Sequence, residues 1–470
     1  MNIRHMASSA LTACVAQGVS FLVSLFMSFV VPKLLGADSY GYWQLFVFYA
    51  GYSGFFLFGL NDGIYLIEGG RTRDEIDRRK IASQFWLGVT IQLIVAVVIG
   101  LFAYQSAAQP DRAFVLLSFA VYTVIFNASG LLGYLFQAMN ETKRFSYMTM
   151  LERGVFLVPL FLFILFNQTD YRILVLSYIF SRTVAFLYAI WLARDILFSG
   201  ILPFVQAVAV CARSIKAGFS LMVANIADLF TMGVSRVLVD HAWGIAVFGQ
   251  VSFSLSIINF FITFVTQASM VFFPVLRQGN LAERRKFYQG IREATDLVFP
   301  AAYLLYWPLA LILGSWLPEY RSSLYYFALL MPMCVYNAKM YALCQTYFKV
   351  LRRERVLLAI TCIATIASAV LSLFGIYVAS SLEVVLIGVV AVIACREICS
   401  EFYLADVLNV SRSNLSVFGV GLSLLFIVLT SIMPPFLAFL IYGIAYALYL
   451  VINRSVVRDL IGLALRAFAR

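Results

Sequence analysis

Residues 32–41 read PKLLGADSYG and recur without gaps as SRVLVDHAWG at residues 235–244. A basic residue, an apolar pair, an aromatic residue and a glycine coincide at this offset of 203 residues. Two shorter matches follow in the same order: Asn127-Ala128 with Asn337-Ala338 at an offset of 210, and Asp195–Leu197 with Asp406–Leu408 at an offset of 211. Register kept in three separated places predicts two related halves.

The composition shows what kind of halves these are. Of 470 residues, 63% are hydrophobic and only 12% are charged, and the mean hydropathy is +0.92. A soluble domain is about half apolar and about a quarter charged, and one membrane-spanning helix needs about 20 mostly apolar residues. A soluble enzyme, a disordered chain and a nucleic-acid binder are therefore excluded, even though the net charge is +11.

Apolar runs bounded by charges, glycine or proline predict fourteen membrane-spanning helices in an all-α protein. We expect two pseudo-symmetric six-helix lobes followed by two C-terminal helices. The predicted spans are 9–32, 41–67, 83–104, 113–138, 149–167, 172–193, 216–239, 243–274, 296–316, 323–348, 356–378, 384–408, 415–433 and 436–452.

The same pattern divides the chain into five parts. They are an N-terminal lobe (1–193), a cytoplasmic linker (194–215), a C-terminal lobe (216–408), a helix pair (409–452) and an amphipathic cytoplasmic tail (453–470). With the N-terminus inside, 25 of the 34 Lys and Arg residues fall in inside segments, four in outside loops and five within spans. The positive-inside rule then predicts a multi-pass protein of the inner membrane with both termini in the cytoplasm.

Four segments carry a resemblance to a known family: Leu34–Gly41, Gly59–Gly63, Trp243–Gln250 and Val271–Leu276. In their order along the chain they resemble the oligosaccharide flippases (polysaccharide, O-antigen type) of the multidrug/oligosaccharidyl-lipid/polysaccharide exporter superfamily. The resemblance implies transport of an undecaprenyl-diphosphate-linked oligosaccharide to the outer leaflet by alternating access. It also implies a central cavity lined by spans 1, 2, 7 and 8, and the last two helices resemble those of the lipid-carrier branches.

Polar residues inside spans are costly in hydrocarbon, so their positions are informative. One stripe on span 1 includes Gln17 and Ser20, while Asn225 lies on a polar face of span 7 and Asn259 on one of span 8. We interpret the two asparagines as substrate-binding residues. Small polar residues that only join neighbouring helices are the alternative interpretation.

Embedded cations predict where an anionic group binds. Arg182 and Arg396 lie in the middle of spans 6 and 12, and Lys339 lies near the middle of span 10. Arginine grips a diphosphate bidentately and lysine acts as a point charge, so we expect these three residues to hold it. Arg236, near an outer end, is either an exit-side contact or a snorkelling anchor. The alternative for the embedded cations is an ion pair with a neighbouring acid.

Embedded acids of opposite sign are Asp62, Asp228 and Glu401, which we interpret as coupling-ion sites for a proton or sodium, or as charge partners. No glycine precedes a lysine, so there is no Walker-type phosphate loop. Two histidines and scattered cysteines predict neither a zinc site nor a cofactor. The partners expected are the lipid-linked sugar, membrane lipids and polysaccharide biosynthesis proteins, with no nucleic acid.

Three other functions stay open at this point. A lipid II flippase shares the extra helix pair and the cationic cavity. A multidrug or cation antiporter of the same superfamily usually has twelve spans and cavity acids. A membrane polysaccharide polymerase or ligase is disfavoured because the predicted outside loops are too short to hold its chemistry, so we expect no enzyme.

Overall fold

The computed structural model describes residues 18, 21–105, 108–269, 281–411, 415–458 and 460. These residues divide into two compact units, 1–226 and 227–470, and the boundary falls inside one long helix. Gln17, Ser20, the motif Val271–Leu276 and most of the predicted tail lie outside the described residues. Of that tail, residues 454–458 are helical.

Unit 1 is all-helical in its described part. Its helices are α1 (Phe21–Phe29), α2 (Val31–Gly51), a 3-10 turn (Ser53–Leu57), α3 (Leu60–Glu68), α4 (Arg78–Gln105), α5 (Pro110–Ala138), α6 (Thr142–Leu165), α7 (Tyr171–Leu192), α8 (Arg194–Leu197) and the start of α9 (Phe204–Ser269). Helix α5 is the centre of the unit, since it packs against α2, α3, α4, α6 and α7. The predicted linker 194–215 is thus largely helical, as α8 and the first part of α9.

Unit 2 continues from the second part of α9. Its helices are α10 (Leu281–Val298), a 3-10 turn (Phe299–Leu305), α11 (Tyr306–Trp316), a second 3-10 turn (Pro318–Tyr320), α12 (Arg321–Lys339), a π-helical turn (Met340–Gln345), α13 (Thr346–Val350), α14 (Glu354–Tyr377), α15 (Leu382–Leu408), α16 (Leu415–Ile432) and α17 (Pro435–Ile452). Helix α12 is the counterpart of α5, and all of its residues from Phe327 to Lys339 are buried.

The described residues contain eleven helices long and apolar enough to span a membrane, or up to twelve when the pair Phe21–Phe29 and Val31–Leu57, bent by 69°, is one span. One of the eleven, Asn225–Thr266, covers parts of two predicted spans on either side of Gly244. Helix α15 is long enough but carries three charges near its middle, Arg396, Glu397 and Glu401. The all-α, polytopic fold with about fourteen spans is confirmed.

Predicted span 2 is broken, and buried amides compensate for the break. Backbone carbonyls without helical partners must be satisfied inside the protein at membrane depth. Asn127 donates to the Ser53 carbonyl (2.8 Å) and to the Gln92 side chain (2.7 Å), and Gln92 donates to the Phe56 carbonyl (2.8 Å). Asn127, one of the repeated asparagines, therefore stabilises the 3-10 turn between α2 and α3.

The register of the internal repeat differs from the ungapped alignment. Gly36 has φ 68° and ψ 174°, and Gly244 has φ 82° and ψ −179°. This conformation is essentially restricted to glycine, so it marks equivalent points at an offset of 208, close to the 210 and 211 of the later matches. Each glycine is followed four residues later by a buried aromatic, Tyr40 or Phe248. The offset of 203, which paired Gly41 with Gly244, was wrong by five residues.

Candidate functional site

Unit 2 contains a buried group of charged side chains that we call the lysine–carboxylate cluster: Asp296, Lys339, Glu397, Glu401 and Ser416. Four helices supply it, namely α10, α12, α15 and α16. The side chains of Lys339 and Asp296 are 5% exposed and those of Glu397 and Glu401 are 1% exposed. Charges buried this completely persist only when they are paired and hydrogen-bonded.

Lys339 is the centre of the cluster. Its Nζ donates to Asp296 Oδ1 (2.5 Å) and Glu401 Oε2 (2.5 Å), lies 3.3 Å from Ser416 Oγ, and lies 3.4 Å from Glu397 Oε1. Ser416 Oγ lies 3.0 Å from both carboxylate oxygens of Glu401. The ammonium group of Lys339, on α12, thus contacts polar side chains from three other helices, α10, α15 and α16.

Arg396, next to Glu397 on α15, forms a second polar network. It donates NH1 to Asp228 Oδ1 and NH2 to Asn337 Oδ1, the latter at 2.9 Å. Tyr341 donates its hydroxyl to the other oxygen of Asp228, at 2.9 Å. The Arg396 side chain is 2% exposed and that of Asp228 is 22% exposed, so one edge of this network is accessible.

Unit 1 holds an arginine in a different setting. Arg182 donates NH1 to Glu152 on α6, and its guanidinium lies 4.7 Å from the ring centroid of Phe126 on α5. The side chains of Arg182 and Glu152 are 13% and 6% exposed. Arg153 lies beside Glu152 and Tyr178, so this buried site has two arginines and one acid.

The remaining predicted residues lie apart from these networks. Asp62 is buried in the first turn of α3. Arg236 donates to Ser252 Oγ (2.7 Å) and lies over the ring of Phe248, with its Cζ 4.9 Å from the centroid. Asn225 and Asn259 have exposed side chains on α9.

Of the predicted site residues, the structure brings together Lys339 with Glu401, and Arg396 with Asp228. The sequence analysis did not assign Asp296, Glu397, Glu152, Asn337 or Tyr341 to a site. Glu152 and Asp296 were missed because they lie within four residues of a predicted span's start, where a charge is usual. All three cations predicted to hold a diphosphate have carboxylate partners here.

Solved structures of transporters share this fold. The lipid II flippase MurJ, in an inward closed conformation, is 12% identical with a TM-score of 0.67, and the match covers 96% of this chain and all of that one. An inward-facing multidrug resistance MATE transporter of the MOP superfamily is 14% identical with a TM-score of 0.58, covering 83% of this chain and 98% of that one. A MOP superfamily transporter from Pyrococcus furiosus is 14% identical with a TM-score of 0.51, covering 85% and 94%.

These likenesses establish the fold, that of MOP superfamily transporters. No protein-family model matches the chain. No curated protein matches it either.

Proposed function

We propose that this protein is a flippase that moves an undecaprenyl-diphosphate-linked oligosaccharide from the cytoplasmic to the outer leaflet by alternating access. The observation that carries the proposal is the extent of the match to the lipid II flippase, which covers 96% of this chain. The multidrug transporter is matched over nearly its whole length yet covers only 83% of this chain. This chain is thus longer than the drug transporter and similar in length to the lipid II flippase. That similarity favours a lipid-linked substrate.

The charges inside the helices support an anionic substrate. Arg182, Lys339 and Arg396 remain the proposed contacts of the diphosphate, with Arg236, Asn225 and Asn259 as further contacts of the substrate. Because each of the first three has a carboxylate partner, diphosphate binding would replace one anion by another at the guanidinium or ammonium group. An exchange of that kind avoids leaving a buried cation unpaired, which is costly.

The other parts of the proposal follow from it. The protein would lie in the inner membrane with both termini in the cytoplasm, beside polysaccharide biosynthesis proteins, and would perform no covalent chemistry. Asp62, Asp228 and Glu401 are the proposed coupling-ion residues, for a proton or sodium. Transport of lipid II itself is the second candidate, favoured by the same match.

The test is restoration of surface polysaccharide in a strain that lacks its own flippase for that polymer. We expect the wild-type chain to restore it, and the Arg396→Gln/Asp228→Asn double variant, which removes both charges of the pair together, to fail at equal membrane abundance. Arg71→Ala is the matched control, because Arg71 is a half-exposed cation paired with Glu68 one turn away.

Two outcomes would overturn the proposal. A wild-type chain that rescues depletion of a lipid II flippase but not polysaccharide export would favour the second candidate. A chain that restores neither, yet lowers the accumulation of cationic drugs, would favour the multidrug antiporter.

A further inference from the structure

The charged groups around the lysine–carboxylate cluster do not balance. The buried cations of unit 2, among its described residues, are Arg292, Lys339 and Arg396, and the buried acids are Asp296, Glu397 and Glu401. Asp228 adds a fourth carboxylate through its bond to Arg396. Arg396 is paired with the half-buried Asp228, and Arg292 donates to the Ser411 carbonyl. Lys339 alone lies within 3.4 Å of three buried carboxylates, Asp296, Glu397 and Glu401, so negative charge is in excess around it if every group is ionised.

An uncompensated charge is expensive in this setting. The effective desolvation penalty of a buried ion is several kcal/mol, and it is avoided when the group takes up or loses a proton. One proton on one of the three carboxyls around Lys339 reduces that excess. The hydrogen bonds indicate which carboxyl that is.

Donors are distributed unequally among the four acids. Asp296 and Glu401 each accept a 2.5 Å bond from Lys339, and Glu401 also has the Ser416 hydroxyl at 3.0 Å. Asp228 accepts from both Arg396 and Tyr341. Glu397 Oε1, in contrast, is buried without a hydrogen-bond partner among the described residues and has Lys339 only at 3.4 Å.

Lysine carries three donor hydrogens and no acceptor. The two shortest contacts of Lys339 Nζ, both 2.5 Å, are with Asp296 and Glu401, so its 3.4 Å contact with Glu397 is the longest of its three carboxylate contacts. With Oε1 lacking a hydrogen bond and Lys339 no closer than 3.4 Å in their ion pair, Glu397 is the least stabilised of the four carboxylates in its ionised form.

We propose that Glu397 is a proton-binding site, neutral in this conformation, and that it gives up its proton when the cluster opens to water. The groups that interact with it are Lys339 and Tyr336 from α12, Cys344 from the π-helical turn, Asp296 from α10 and Glu401 from its own helix. Two arginines lie one step further away: Arg292 beside Asp296, and Arg396 beside Cys344. The released proton leaves a carboxylate that competes with Asp296 and Glu401 for Lys339, which loosens the junction of four helices. That step connects proton release to conformational change. This part of the inference rests on the proposed function.

The proton itself is tested without substrate. Infrared spectra of the purified full-length protein in lipid, in H2O and D2O, report the C=O stretch of a protonated carboxyl. We expect the wild type to show such a band at neutral pH, Glu397→Gln to lose it while staying folded, and Glu397→Asp to shift it. Glu354→Gln, at the exposed start of α14, is the control and should keep the band unchanged.

A band that survives in Glu397→Gln, or its absence from the folded wild type at every pH, overturns the site. So does a band that disappears on addition of sodium at constant pH, which would make the ligand a metal cation. Transport is measured separately in proteoliposomes: an imposed pH gradient should change translocation by the wild type and have no effect on Glu397→Gln. If no lipid-linked sugar is translocated by the wild type, the proposed function fails while the infrared result stands.

Discussion

Gly36 and Gly244 have the same glycine-specific backbone conformation, with φ and ψ of 68° and 174° in one and 82° and −179° in the other. Each interrupts a helix, and each precedes a fully buried aromatic side chain by four residues. Two long helices are therefore broken at the same point by the same residue type in both halves. In the alternating access that we propose, these two glycines are the candidate points, one per half, at which a helix changes direction.

Replacing either glycine by alanine should destabilise the fold. A non-glycine residue in this region of φ/ψ space costs about 1–3 kcal/mol. A Cβ at Gly244 would meet no atom within 4 Å, so the loss measured there reports backbone strain alone. We expect Gly36→Ala and Gly244→Ala each to lower the thermal midpoint in detergent, measured by tryptophan fluorescence.

The controls for this prediction are Gly154→Ala in α6 and Gly421→Ala in α16. Both glycines lie in helices with open space around a Cβ, so alanine should be neutral or slightly stabilising through its higher helix propensity. If Gly36→Ala and Gly244→Ala have the same thermal midpoints as these controls, the two glycines are not sites of backbone strain.

The sequence predicted the spans well because hydropathy is a local property. Each of the fourteen apolar runs overlaps a helix among the described residues, although α1 is followed by a bend of 69° and Ser53–Leu57 interrupts the second run. The sequence did not predict the register of the repeat, because the φ angle of a glycine cannot be read from an alignment. The break between α2 and α3 was missed because Phe55–Phe58 is apolar, and the hydrogen bonds from Gln92 and Asn127 that stabilise a 3-10 turn there come from other helices.

The sequence predicted which residues are charged inside spans, but it did not predict which residues those charges pair with. A charge in an apolar run is visible in the sequence, which identified Arg182, Lys339 and Arg396. The partners of the two arginines lie 30 and 168 residues away, at Glu152 and Asp228. Such pairing depends on how helices pack, and one sequence contains no information on which faces meet.

A close helix crossing in unit 1 yields the second prediction. A Cβ on Gly63 would lie 1.8 Å from the Ser214 carbonyl oxygen, and one on Gly218 would lie 2.0 Å from the Gly59 carbonyl oxygen. These are backbone atoms, which side-chain rotation cannot move. We expect Gly63→Ala and Gly218→Ala to reduce the folded fraction sharply in size-exclusion chromatography, whereas Gly100→Ala in α4, which has open space, should behave as the wild type.

Acid should weaken the start of α4 through one carboxylate. Asp77 accepts from the Lys80 backbone N–H at 3.2 Å, and its hydrogen bonds with Lys80 hold the pKa of Asp77 below its ordinary value. Because the folded-state pKa is lowered, this stabilisation is present above the ordinary carboxylate pKa and is lost as the pH falls through the lower, folded-state value. Asp77→Ala should lose about 0.5–2 kcal/mol, as for other helix caps, at neutral pH but not in acid.

Asp74→Ala is the matched control, because Asp74 is 91% exposed and pairs with Arg78 only at 3.4 Å. Asp77→Asn keeps a capping oxygen without a charge, so its stability should vary less with pH than that of the wild type. The measurement is the thermal midpoint across an acid titration. A pH dependence unchanged by Asp77→Asn would show that another group is responsible.

The Arg182–Glu152 pair separates a structural role from a substrate role. Removing one partner of a buried ion pair costs about 3–5 kcal/mol, whereas apolar replacement of both is often tolerated. Arg182→Met and Glu152→Leu should each unfold more readily than the double variant, and a double-mutant cycle should give a coupling energy well above experimental error. Additive single effects would mean that Arg153 already compensates Glu152. If Arg182 also contacts the diphosphate, the folded double variant will still fail to restore surface polysaccharide, while full restoration by it would limit Arg182 to holding α6 against α7.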